Sequence, residues 1–283
     1  MRWRGRAGST NIEDRRGRGM GVGLPLGGGI GGIVLLLLVS ALTGQNPIDM
    51  INTGSGPVDD SSVGTSGVSA DDPQAQFVSV VLKDTEDTWN EIFRQRGDTY
   101  PPPTLVLFER ATRSACGTGT SAMGPFYCPA DRNVYLDLSF FRDLAQRFGA
   151  PGDFAQAYVV AHEVGHHIQT VTGLSERVAG LRQRANETQA NALSVRQELQ
   201  ADCFAGVWGH YAAQRNLLEP GDAEEGLRAA AAIGDDRLQQ QTQGRVVPES
   251  FTHGSSEQRV EWLRRGMEAG NLDACNTFNQ QSW

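Results

Sequence analysis

Val159-Val160-Ala161-His162-Glu163-Val164-Gly165-His166-His167 is the stretch that decides how this 283-residue chain is read. Around it, Phe154, Ala157, Tyr158, Ala161, Val164 or Gly165, and Ile168 recur at three- and four-residue spacing. That period predicts a helix from Asp153 to Thr172 with one buried stripe. Asp153, after Pro151-Gly152, fits an N-cap, and Gly173 fits the C′ position. One turn of helix separates His162 from His166, so both imidazoles leave the same face and can share one metal ion. Glu163 points to the edge of that face, where a water could be activated, so the motif predicts metal-assisted peptide hydrolysis. Gly165 lies mid-helix at a cost of about 1 kcal/mol relative to alanine. It asks for a second element crossing close by.

A zinc ion with two histidine ligands needs one more protein ligand and leaves its fourth position for water. His167 is rotated about 100° from His166 on a helix and should miss the ion. No H-x-x-G-x-x-H continuation follows His166, so the three-histidine set of metzincins is absent. The candidate is Glu198, in Glu198-Leu199-Gln200-Ala201-Asp202-Cys203-Phe204. Leu193, Leu199, Phe204 and Val207 place it on a long helix from Asn186 to Arg215. Glu198 and Asp202, one turn apart, face the same way. Glu198 can then ligate the metal while Asp202 accepts a hydrogen bond from the outer nitrogen of a histidine, fixing its tautomer. The plain alternative is two solvated acids, which the apolar residues around them disfavour.

A third block, Phe251-Thr252-His253-Gly254-Ser255-Ser256-Glu257-Gln258-Arg259, opens a final helix capped by Ser255 or Ser256, with Val260, Leu263 and Met267 on its buried side. His253 is a candidate donor to the oxyanion of the tetrahedral intermediate, against an equal case for a loop brace. Arg259 reads as an ion-pair partner of Glu198 or Asp202. Glu224 to Gln243 reads as a further helix, with Asp235 and Asp236 structural or exposed.

Together these three blocks resemble the bacterial putative neutral zinc metallopeptidase family, of gluzincin type. The resemblance covers Gln74 to the C-terminus. It implies an α+β, mainly helical, zincin-like domain with a small antiparallel sheet. It also implies Zn²⁺ as cofactor, with His162, His166 and Glu198 as ligands, Glu163 as general base and a peptide or protein as substrate. Two strands, Thr104–Phe108 and Asn133–Asp137, precede the active helix. The resemblance gives Asn133, Val134, Tyr135 and Leu136 the role of an edge that pairs with substrate. A catalytically silent zincin-like binding or envelope-assembly protein is the alternative, as is an ion that only pins two helices together.

The N-terminal region addresses location. Arg2, Arg4, Arg6, Arg15, Arg16 and Arg18 are followed by Gly19 to Ile48, which carries no charge. The expected layout is a basic cytoplasmic segment (1–20), one transmembrane anchor (21–43), a Gly/Ser/Asp linker (44–73) and a peptidase domain (74–283). The basic flank predicts a single-pass protein with its N-terminus cytoplasmic and its domain periplasmic or extracellular. A cleaved signal peptide ending near Val39-Ser40-Ala41 is the competing reading. Cys116 and Cys128 bracket a glycine-rich loop and read as a local disulfide, while Cys203 and Cys275 could form a second. Four cysteines allow three pairings, and spacing does not choose among them. The net charge of −8, or −12 without residues 1–18, argues against nucleic acid as a partner.

Overall fold

The computed structural model describes residues 1–17 and 65–278. The expected anchor (21–43) and most of the expected linker lie outside these residues. No helix among the described residues is long and apolar enough to cross a membrane.

Strands β1 (Ile12–Asp14), β2 (Thr65–Ser66), β3 (Thr104–Phe108), β6 (Phe126–Cys128) and β7 (Asn133–Asp137) form one sheet in the order β2-β1-β3-β7-β6. The pairs β1–β3 and β3–β7 are parallel, and only the two outer pairs are antiparallel. The sheet is therefore mixed rather than antiparallel. Parallel neighbours need a long crossover, and α1 (Pro73–Gln95) lies in the connection that leads into β3. Its N-cap Asp72 and Pro73 start it, and Phe77, Val81, Trp89 and Phe93 are all buried. Strands β4 (Ala111–Ser114) and β5 (Gly117–Thr120) make a separate antiparallel pair. Below it, the Cys116–Cys128 disulfide spans a Cα distance of 5.8 Å.

The helical layer comprises α2 (Ser139–Gln146), α3 (Asp153–Val171), α4 (Leu174–Arg182), α5 (Glu187–Gln214), α6 (Asp222–Ala232), α7 (Asp235–Gln243) and α8 (Ser256–Ala269). Helix α5 starts in a capping box of Asn186 and Gln189, and α8 in one of Ser255 and Gln258. The helix expected from Glu224 to Gln243 is broken at Ile233-Gly234. A Cβ on Gly234 would clash with the backbone and side chain of Ser256, so the break lets α8 begin against it. Phe154 of α3 stacks on Trp208 of α5 at 5.6 Å, and Trp89 of α1 meets Phe204 edge-on at 5.7 Å. These aromatic pairs bind α1, α3 and α5 into one core.

Residues 1–17 are not a separate basic segment. They belong to the same compact unit as the chain from Thr65 onward, because β1 is an interior strand of the sheet. Ile12 is buried, Trp3 packs edge-on against Phe77 at 5.5 Å, and Ser9 Oγ donates to Glu86 at 2.6 Å. The Met1 ammonium lies 2.9 Å from Asp153, 3.0 Å from Glu219 and 3.3 Å from Asp222. Asp153 is thus the first residue of α3 rather than its cap: Gly152 occupies the cap position and Asp153 faces the ammonium. Asp153, Asp222 and Glu225 are spaced like a cation site, and the ammonium answers that charge.

Burial pulls the Met1 amine down, but hydrogen bonds to Asp153 and Glu219 outweigh it and raise its pKa from 8.0 to about 10. The stabilisation is therefore complete below pH 8 and is lost as pH rises through about 10. Thermal unfolding followed from pH 8 to 10.5 should show a fall in Tm that shrinks in the double variant Asp153→Asn/Glu219→Gln.

Candidate metal centre and catalytic cleft

Helices α3 and α5 cross where Gly165 meets Ala201. A Cβ on Gly165 would stand 2.9 Å from the Ala201 carbonyl oxygen and 3.0 Å from its Cα. The missing side chain lets the two backbones approach closely enough for one turn of each helix to share a site. His162 and His166 from α3 and Glu198 from α5 converge there, with one ligand atom from each lying within 4.8 Å of the others. His162 Nε2 is 3.2 Å from Glu198 Oε2, and His166 Nε2 is 3.5 Å from Glu198 Oε1.

The outer nitrogens fix both tautomers. Asp202 Oδ1 can only accept at 2.8 Å, so His162 carries its proton on Nδ1 and keeps the Nε2 lone pair for the site. At His166 the partner is Gln169 Oε1, 3.0 Å from Nδ1. The Gln169 amide is oriented by its NH₂, which donates to the Gln197 carbonyl at 2.7 Å and to Gln200 Oε1 at 3.1 Å. Gln200 in turn donates to the Cys275 carbonyl at 3.0 Å. Cys275 is disulfide-bonded to Cys203 at a Cα distance of 5.5 Å, so the C-terminal tail braces the network. Two imidazole nitrogens with free lone pairs and one carboxylate oxygen are the donor set of a catalytic zinc site, with a position left for water. The residues fit the ion.

Behind His162, Asp202 is fully buried and takes hydrogen bonds from three side chains. Besides His162, Tyr158 donates at 2.5 Å, and Arg259 donates through Nε at 2.9 Å and Nη2 at 3.0 Å. Burial alone would raise the Asp202 pKa, but the Arg259 charge overrides it and holds the carboxyl at about 2. Burial likewise opposes the His162 imidazolium, and Asp202 outweighs it, raising that pKa to about 10, so without the ion the ring also carries a proton on Nε2, which metal binding would displace. Glu198 behaves similarly: burial pushes it up, and the charge of His166 carries it well below the usual carboxylate range. Arg259 is thus a structural partner of Asp202. Sequence spacing missed Tyr158 and Gln169, although each lies on the ligand face of α3, one turn from a histidine.

His167 misses the site, as its angle on the helix requires. It is fully buried, with Nε2 donating to the Pro101 carbonyl at 2.6 Å and Nδ1 accepting from Tyr127 at 3.1 Å. Burial pushes its pKa down to about 4, so it is a neutral brace between α3 and β6.

The three convergent residues face a cleft of about 660 Å³. Val159, His162, Glu163 and His166 of α3 form its floor, and Gln197 and Glu198 of α5 form one wall. Met123, Phe126, Tyr127, Phe140 and Phe148 supply apolar surface to it, and His253 and Arg259 also line it. Glu163 is buried, with 8% of its surface exposed, and burial pushes its pKa up. Among the described residues its carboxylate takes part in no direct hydrogen bond. His253 is exposed at the cleft, its Nδ1 3.3 Å from Asp235 Oδ1. Asp235 Oδ2 accepts from the backbone N–H of Thr252, His253 and Gly254 and so shapes the loop.

One set of site residues is corrected. Asn133, Val134, Tyr135 and Leu136 are not a substrate edge, because β7 is paired with β3 on one side and β6 on the other. Val134, Tyr135 and Leu136 are each 1% exposed. The edge strand on this side of the sheet is β6, and Phe126 and Tyr127 line the cleft.

Removing an orienting partner should loosen the metal without removing a ligand. Asp202→Asn and Gln169→Leu should each weaken zinc affinity by about 10- to 100-fold, read by competition with a chromophoric chelator. Gly165→Ala should do the same by wedging α5 away, and should lower Tm as well.

The comparisons with known proteins name the same metal. A family model described as putative neutral zinc metallopeptidase matches residues 1–278. The chain is 52% identical over 286 residues to Uncharacterized protein YpfJ of Escherichia coli K12, covering 99% of each. It is 41% identical over 215 residues to Uncharacterized protein Rv2575 of Mycobacterium tuberculosis H37Rv, covering 72% of each. No solved structure matches the chain significantly. With a match that runs from the N-terminal strand to the tail beyond α8, the chain belongs to the putative neutral zinc metallopeptidase family, whose cofactor is Zn²⁺.

Proposed function

We propose that this chain hydrolyses peptide bonds with zinc held by His162, His166 and Glu198. The observation that carries the reading is Glu163, a carboxylate without a hydrogen bond among the described residues, on the cleft floor beside the convergent ligands. An ion that only pinned α3 to α5 would leave this group without a task, and so would a silent binding module. Zinc, when bound, supplies Lewis acidity, which lowers the pKa of water from 15.7 to about 7 and polarises a carbonyl.

Glu163 takes a proton from the attacking water as its oxygen bonds to the scissile carbonyl carbon. It passes that proton to the amine as the C–N bond breaks. His253 donates from Nε2 to the developing oxyanion. Nδ1 lies 3.0 Å from Thr252 Oγ1 and 3.3 Å from Asp235 Oδ1, and a ring that donates to Asp235 carries both protons when it serves in this way. The hydrogen bond to Asp235 raises the His253 pKa and favours that form. Extended substrate lies along the free edge of β6. The apolar surface of Met123, Phe140, Phe148 and Val159 receives a large apolar side chain next to the scissile bond.

Two disulfides support work outside a reducing compartment, and the acidic balance supports a protein rather than a nucleic-acid substrate.

Zinc-loaded full-length protein offered a peptide library should cut beside large apolar residues, and chelation should stop it. Glu163→Gln should keep one equivalent of zinc and lose about 10²- to 10⁴-fold in kcat. One equivalent of zinc with no cleavage of any peptide by the native chain would move the assignment to a binding module. The His253 donor is present below its raised pKa and is lost as pH rises through it. The alkaline limb of the kcat/KM profile should therefore move to lower pH in Asp235→Asn.

A further inference from the structure

The arginine-rich start of the chain and its uncharged run suggest a cytoplasmic flank and a one-way anchor, but the sheet does not accommodate that arrangement. Asp14 is the direct partner of Thr65, and Glu13 of Ser66, so the chain leaves and re-enters one ladder at adjacent positions. On its other side β1 is in parallel register with β3, pairing Ile12 with Leu105, Glu13 with Val106 and Asp14 with Leu107. The ladder extends beyond the strand: Leu105 N–H donates to the Asn11 carbonyl and Arg15 N–H to the Leu107 carbonyl, both at 2.9 Å.

The arginines are also engaged. Arg15 is paired with Glu13 at 2.8 Å, Arg16 with Asp14 and Asp72 at 2.6 Å each, and Arg6 Nη2 donates to the Arg215 carbonyl at 2.9 Å. Without β1, the buried residues Ile12 and Leu105 would lose their shared contact and the backbone edge of β3 would stand open.

We propose that residues 1–17 and the chain from Thr65 onward share one compartment, so that the uncharged run Gly19–Ile48 does not carry the chain across a membrane in a single pass. A bilayer between the two parts would separate strands that are hydrogen-bonded to each other. The shared compartment is the one in which the two disulfides form. This inference is independent of the zinc chemistry.

The test uses the full chain in intact bacterial cells. All four native cysteines are disulfide-bonded, so a single introduced cysteine is the only free thiol. Arg4→Cys and Asp71→Cys place one at an exposed position on either side of the run. A membrane-impermeant maleimide should label both before lysis, and labelling of neither until lysis would contradict the disulfide-forming compartment. Labelling of Asp71→Cys in intact cells with Arg4→Cys protected would overturn the proposal. A second variant, Glu13→Cys/Ser66→Cys, joins direct ladder partners, whose Cα separation of about 4.5–5.5 Å suits a disulfide. Mass spectrometry should find the two peptides linked. Two reactive thiols that stay unlinked under oxidant would equally overturn it.

Discussion

The close crossing of α3 and α5 at Gly165 and Ala201 is the constraint on which the rest of the site depends. Separately, each helix offers only part of a metal site. Helix α3 supplies two imidazoles one turn apart, and α5 supplies a carboxylate with a second one turn behind it. At this separation a single turn of α5 serves both ligand histidines: Glu198 reaches their inner nitrogens, while Asp202 accepts from the outer nitrogen of His162. A methyl group at position 165 would occupy the space that makes this possible. The glycine thus gives up some helix propensity in return for the approach of a second helix. A parallel contact recurs further along α5, where Gly206 meets α8 beside Gly266. This brings Arg259 to Asp202.

Electrostatics then separates the carboxylates in the site by role. Asp202 is saturated by Tyr158, His162 and Arg259, so it stays ionised and holds its histidine still. Glu198 is tied to both ligand histidines. Burial is the largest influence on Glu163 and pushes its pKa up against the charges of His162 and His166, the opposite direction from Asp202 and Glu198. Similar side chains within two helical turns thus act as orienter, ligand and base because their partners differ.

Much of this was legible in the sequence, since helix period and one-turn spacing are local properties. The bounds of α5, a serine cap for α8 at 255 or 256, and the relation of Glu198 to Asp202 all follow from spacing along one helix. What spacing could not reveal was long-range pairing. The strand Asn133–Asp137 alternates like a half-buried strand and the resemblance gave it an edge role, but its standing is set by β3 and β6, which come from elsewhere in the chain. Residues 1–17 look like a charged flank because arginines and glycines dominate them. The burial of Ile12 and the pairing of Arg15 and Arg16 with neighbouring acids depend on a sheet that the local pattern does not announce. Tyr158 and Gln169 were hidden for the opposite reason. Each fits the helix so well that its polar end drew no separate attention.

The central claim is an open zinc site built from α3 and α5, and zinc K-edge X-ray absorption on the loaded full-length protein tests it most directly. The account predicts one zinc per chain, with two imidazole nitrogens at about 2.0–2.1 Å, one carboxylate group and one exchangeable oxygen that a small thiol inhibitor replaces with sulfur. A closed shell of four protein ligands that no inhibitor enters would contradict it, and so would a folded protein that takes up no zinc.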